Sequence, residues 1–113
     1  MLTVENLKQF GANTEEGLGR CFNNVDFYLK LVGMGLADAN FDKLREALDA
    51  GDAAAAFEAA HALKGAIGNL ALTPIYTPVC ALTEQLRGAG TTQGTEALAA
   101  EVMAQLERAR ALI

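Results

Sequence analysis

His61 is the only histidine in the chain. Its surroundings read Ala59-Ala60-His61-Ala62-Leu63-Lys64-Gly65-Ala66-Ile67-Gly68-Asn69-Leu70. A neutral imidazole is a nucleophile near neutral pH, and an ammonium group beside it offsets negative charge placed on the ring. The pair suits attack on a phosphoryl group, with His61 forming the bond and Lys64 balancing the added charge. Both side chains must then be aimed the same way, and a helix does this. At about 100° per residue, Ala56, Ala60, Leu63, Ile67 and Leu70 fall on one side. His61, Lys64, Gly65 and Gly68 fall on roughly the opposite side. The apolar side reads as core, so the imidazole should face water. Each glycine costs a helix interior roughly 1 kcal/mol relative to Ala. Two of them beside the ring are expected to clear space for a large partner. Taken alone, the same spacing also describes an incidental surface histidine next to an ordinary helical lysine.

Other chemistry is weak or missing. The glycine-rich stretch Gly88-Ala89-Gly90-Thr91-Thr92-Gln93-Gly94 lacks the lysine of a phosphate-binding loop. With no ATP site in view, a phosphoryl group would have to arrive from another protein. One histidine cannot build a two-histidine metal site, and Cys21 and Cys80 have no metal-ligand spacing. A buried structural role is expected for both cysteines. No cofactor is expected. A net charge of −5 argues against non-specific nucleic-acid binding. No apolar run approaches the roughly 20 residues of a membrane span, and the N-terminus has no signal-peptide pattern.

Around His61, three residues are candidates for supporting roles. Glu58, one turn before it, either hydrogen-bonds the ring or is a solvated acid. Phe57, four residues before it, either joins a small exposed docking patch or packs under a neighbouring helix. Asn69 and Gln85 could border the site.

The stretch His61-x-Leu63-Lys64-Gly65, with small residues following and then Asn69-Leu70, resembles the signature of histidine-containing phosphotransfer (HPt) domains. Upstream, Phe41-Asp42-Lys43-Leu44-Arg45-Glu46-Ala47-Leu48-Asp49-Ala50-Gly51-Asp52 resembles the helix and turn that lead into the histidine helix. Downstream, Leu72-Thr73-Pro74-Ile75-Tyr76 and Leu82-Thr83-Glu84-Gln85-Leu86-Arg87 resemble its continuation. Ala71 departs from the family, which often has Gly there. The resemblance implies a carrier without an ATP site of its own. It would be phosphorylated on His61, with Lys64 stabilising the phosphoryl group and Phe57, Gly65 and Gly68 contacting partners. Those partners would be response-regulator receiver domains and an upstream sensor or hybrid histidine kinase. A cytoplasmic monomer is expected, with no nucleic-acid or membrane partner. The alternative from another class is a helical adaptor that binds through the same face and is never modified.

The elements that must position His61 can be read along the chain. With 113 residues, one domain is expected, and 51% apolar composition rich in Ala favours packed helices. Thr3 caps a short helix to residue 10, and Thr14 a second to about Phe22. Asn24 starts a longer one with Val25, Tyr28, Leu29 and Val32 along one side, stopping near Leu36 or Ala37. Asn40 caps the next, whose apolar stripe is Phe41, Leu44 and Leu48. Ala50-Gly51 ends it, and Asp52 caps the histidine helix, which runs to about Leu70. Leu72-Thr73-Pro74 marks a turn, with a helix regular only from about Thr77 because Pro78 follows closely. The last helix spans about 95–112, with Leu98, Val102, Leu106, Ala109 and Ile113 at core spacing. Amphipathic helices joined by short turns predict an all-α, antiparallel up-down four-helix bundle. Periodicity does not choose the four. The family resemblance picks those beginning near 40, 52, 75 and 95, a bundle over 40–112, with residues 1–37 as capping helices of a single domain 1–113.

Overall fold

The chain forms seven helices and no strand, four of the helices opened by a polar side-chain cap, in a computed structural model that describes residues 1–113. They are α1 (Val4–Phe10), α2 (Thr14–Arg20), α3 (Val25–Leu36), α4 (Asn40–Asp49), α5 (Ala53–Asn69), α6 (Thr73–Leu86) and α7 (Glu96–Arg110). Thr3 and Asn6 exchange side-chain and backbone hydrogen bonds in a reciprocal cap at the start of α1. Asn13, Asn24 and Asp52 each accept from a backbone N–H three residues on, which satisfies one orphan donor of the first turn. Gly51, at φ +70°, makes the left-handed turn between α4 and α5.

Three boundaries differ from expectation. The cap of α2 is Asn13, not Thr14. Asn40 lies inside α4, and the Asp38 carboxylate accepts its N–H at 2.8 Å. Helix α6 is regular from Thr73 rather than Thr77. Pro74 falls in the first turn, where no donor is missed, whereas Pro78 lies inside the helix and leaves the Pro74 carbonyl without its usual N–H partner, a single gap that the helix continues through.

One hydrophobic cluster joins six of the helices, α2 excepted. It includes Leu7 and Phe10 of α1, Tyr28, Val32 and Leu36 of α3, Phe41 and Leu44 of α4, and Leu63 and Ile67 of α5. Ile75, Val79, Leu82 and Leu86 of α6 and Val102 and Leu106 of α7 complete it. Helix α5 packs against α4 on one side and α6 on the other, and α6 against α7. Val25 and Ile113 are exposed at 44% and 62%, against expectation, because each lies at a helix end past the last buried layer. Leu29, Leu48 and Leu98 are only partly buried. Cys21 is buried and Cys80 half-buried, and both are free thiols. No helix is long and apolar enough to cross a membrane.

The first three helices lie where the start of α4, the α5–α6 turn and the end of α7 meet. The Arg110 Nε donates to the Leu36 carbonyl at 2.9 Å, joining the end of α7 to the approach to α4. A Cβ on Gly35 would lie 2.5 Å from Leu70 Cδ1, so that glycine admits the end of α5. Asn13 N–H donates to the Ala71 carbonyl at 2.9 Å. These contacts gather the start of α4, the α5–α6 turn and the end of α7 in one region, and the all-helical architecture is that of a four-helix bundle with helices added at its start.

Tyr28 is the centre of this junction. Its ring is fully buried, and its hydroxyl donates to the Leu70 carbonyl at 2.9 Å. A Cβ on Gly17 would stand 2.5 Å from the ring, so α2 approaches only because that position is glycine. Burial, with a smaller contribution from Cys21, pushes the Tyr28 hydroxyl up to about 12. An unfolded tyrosine ionises near pH 10. Above about pH 10 the unfolded chain therefore sheds a proton that the native state keeps. The stabilisation is fully present below that pH and is lost as pH rises towards about 12. Denaturant unfolding from neutral to strongly alkaline pH should show this fall. Tyr28→Phe should flatten it, and should cost about 1–3 kcal/mol at neutral pH by stranding the Leu70 carbonyl.

Candidate functional site

Helix α5 presents His61 to solvent because its opposite stripe is held between neighbours. Leu63 and Ile67 are fully buried, as are Ala56 and Ala60, whereas His61 is exposed and Lys64 half-buried. The helical phase expected from spacing is the phase observed. The histidine ring rests on Phe57, with centroids 5.7 Å apart and planes 13° from parallel. Phe57 is itself partly buried against the core, so it packs beneath the ring more than it projects as an apolar patch. The Arg87 guanidinium carbon lies 5.1 Å from the centre of the same phenyl ring.

Arg87 ends α6 and grips Glu84 in a two-pronged contact. Its Nε donates to Oε2 at 3.1 Å and its Nη2 to Oε1 at 3.0 Å. Lys64 Nζ lies 3.9 Å from the same Oε1. Arg87, through its hydrogen bonds first and its charge second, holds the Glu84 carboxyl below the usual carboxylate range. Lys64 and His61 pull in the same direction more weakly. The histidine is thus bordered by a chain of contacts across two helices: His61 to Phe57, Phe57 to Arg87, Arg87 to Glu84, and Glu84 to Lys64.

On the other side of His61 an open groove runs between α2, α5 and α6. Lys64, Gly65, Gly68 and Asn69 line it from α5, Tyr76 from α6 and Arg20 from α2. Arg20 donates to the Gly68 carbonyl at 2.6 Å and pairs with Glu16 one turn back. This ties α2 to the last turn of α5, where a cation is favoured by the exposed carbonyls.

The two glycines differ in what surrounds them. A Cβ on Gly65 would meet nothing within 4 Å. A Cβ on Gly68 would lie 2.8 Å from the Tyr76 ring, so the space in front of Gly68 is filled from within the protein. The expectation that both clear the way for a partner is corrected for Gly68, whose missing side chain admits Tyr76. Glu58 is exposed and lines a different groove, with Asn40, Lys43 and Glu46 of α4. Gln85 donates to the Gly94 carbonyl at 2.9 Å and anchors the loop before α7.

Sequence reasoning did not single out Glu84, Arg87, Arg20 or Tyr76. Glu84 and Arg87 have the three-residue spacing of a helical ion pair, but only the packing of α6 on α5 brings them beside Lys64.

The arrangement offers a nucleophilic ring in water, braced from one side, with a cation one turn away. The glycine difference is testable by denaturant unfolding. Gly65→Ala should stabilise by up to about 1 kcal/mol, the helix-propensity gain in open space. Gly68→Ala should destabilise by about 1–2 kcal/mol, because crowding the Tyr76 ring outweighs that gain.

Comparison with curated proteins and with solved structures returned no match. A family model, the Hpt domain, matches residues 35–112. That span takes in α4 to α7 and with them His61, Lys64, Glu84 and Arg87. The chain belongs to the Hpt domain family, carriers of phosphoryl groups on histidine in two-component phosphorelays.

Proposed function

We propose that His61 accepts a phosphoryl group from the aspartyl phosphate of one receiver domain and passes it to the aspartate of another. The observation that carries this reading is the exposed ring on α5, backed by buried Leu63 and Ile67 and stacked on Phe57. In the accepting step a ring nitrogen attacks phosphorus. The nitrogen–phosphorus bond forms as the bond from phosphorus to the aspartate oxygen breaks, and the carboxylate leaves with the electron pair. The ring keeps its proton on the other nitrogen, so the product is an imidazolium carrying a dianionic phosphoryl group. The donating step reverses these changes on a second aspartate.

Lys64 stabilises the phosphoryl group, since it lies one turn along the same face. Phe57 fixes the plane of the ring, and Gly65 leaves open the approach of a partner. Gly68 contributes the groove floor and, through Tyr76, its wall. Residues 1–113 act as one unit, with α1 to α3 capping the bundle end. An upstream sensor or hybrid histidine kinase feeds the relay. The free thiols Cys21 and Cys80 suit a reducing cytoplasm, and the carrier acts as a monomer.

Incubation with a phosphorylated receiver domain should place acid-labile, base-stable phosphate on the wild type and none on His61→Gln, with both folded. Phosphate persisting on His61→Gln refutes the assignment. Receiver binding without any phosphate on the wild type makes the protein an adaptor. Lys64→Ala should slow single-turnover transfer by a few-fold to about a hundred-fold. The upper end is that of a charge-assisted hydrogen bond of roughly 1.5–3 kcal/mol made in a docked, water-poor interface. An unchanged rate makes Lys64 an ordinary solvated lysine.

A further inference from the structure

We propose that Glu84 is a positioning residue for phosphoryl transfer: it holds Lys64 beside His61 while the ring is bare and yields it to the phosphoryl group when the ring is loaded. The inference rests on the phosphotransfer reading of His61. Three distances carry it. Arg87 closes on both carboxylate oxygens, at 3.1 Å and 3.0 Å. Lys64 Nζ stands 3.9 Å from Oε1, an oxygen that Arg87 already uses. That is beyond hydrogen-bond length, so charge alone holds the ammonium.

The two cations are therefore held unequally. Arg87 is fixed by a planar fork and by its place over Phe57, 5.1 Å from the ring centre. Lys64 is held loosely, with about a third of its side chain exposed (34%). A phosphoryl group on His61 brings two negative charges to the face that Lys64 shares. If Lys64 moves to it, Glu84 keeps both hydrogen bonds from Arg87 and is not left unpaired. If Arg87 moved instead, two hydrogen bonds and the Phe57 contact would be lost. The geometry makes Lys64 the mobile cation and Arg87 the fixed one.

Glu84 also opposes the loaded state. Its carboxylate competes for Lys64 and places a further anion near the phosphoryl group. Phosphohistidine is raised in free energy relative to bare His61, which favours handing the group on. No bond forms to Glu84, and the bond changes are those at His61 described above.

The experiment measures the equilibrium of phosphate between a receiver domain and the full chain, for wild type, Glu84→Gln, Lys64→Ala and the double variant. Glutamine removes the charge and keeps an acceptor for Arg87. Because Glu84 is 58% exposed, the change should leave the fold intact. Glu84→Gln should shift the equilibrium towards phosphohistidine by about two- to five-fold at low salt, and less at high salt. In the Lys64→Ala background the shift should fall to roughly half or less, which is the coupling expected of residues acting through one another. A merely structural role would not depend on Lys64 in this way. If the wild type loads but Glu84→Gln leaves the equilibrium unchanged, or shifts it equally with and without Lys64, the role of Glu84 is overturned and the phosphotransfer reading stands. If the wild type takes no phosphate, both are overturned.

Discussion

The rotational phase of α5 is the constraint on which the site depends. Ala56, Ala60, Leu63 and Ile67 must face inward because α4 and α6 flank the helix and leave no other place for them. Burying a Leu or Ile side chain is worth roughly 1.5–3 kcal/mol, so Leu63 and Ile67 together resist any rotation strongly. Turning α5 by one residue would carry the imidazole towards the core and expose an apolar stripe. Stability and reactivity are thus set by the same packing. The small side chains of Ala56, Ala59 and Ala60 add to this, since they let neighbouring helices come close with little volume to fill.

The part of the molecule outside the family match is bound into this arrangement. Residues before 35 supply Leu7, Phe10, Tyr28 and Val32 to the shared core. They also supply Arg20, which fastens α2 to the last turn of α5. The bundle end that closes α5 is therefore built partly from chain that the match does not include. Gly17 lets α2 close on Tyr28, whose hydroxyl then reaches the Leu70 carbonyl, and Gly35 admits the Leu70 side chain where α3 ends.

Much of this was legible in sequence, for physical reasons that differ between residues. Asp52, the apolar period and the exposed His61 all lie on one continuous helix, where spacing alone determines direction. The family resemblance then singled out His61 and Lys64 from the other polar surface residues. Gly65 and Gly68 look alike in sequence, and only the Tyr76 ring, arriving from another helix, separates them. Glu84 and Arg87 were hidden for the same reason. Their own spacing describes a local ion pair, whereas their meeting with Lys64 and Phe57 depends on how two helices pack. The start of α6 differs from expectation because two prolines four residues apart resemble a broken helix, whereas α6 runs on through the one bond missing at Pro78.

The open surroundings of His61 bear on how a phosphoryl group would be kept. Nothing stands in front of Gly65, and the histidine ring has a floor but no roof. A group held there would be bathed in water whenever the carrier is alone, and shielded only while another protein covers it. Its lifetime between partners would follow from the intrinsic resistance of the nitrogen–phosphorus bond to hydrolysis rather than from enclosure. The unaccompanied interval would act as a clock, running down the signal at a rate that the fold does little to slow.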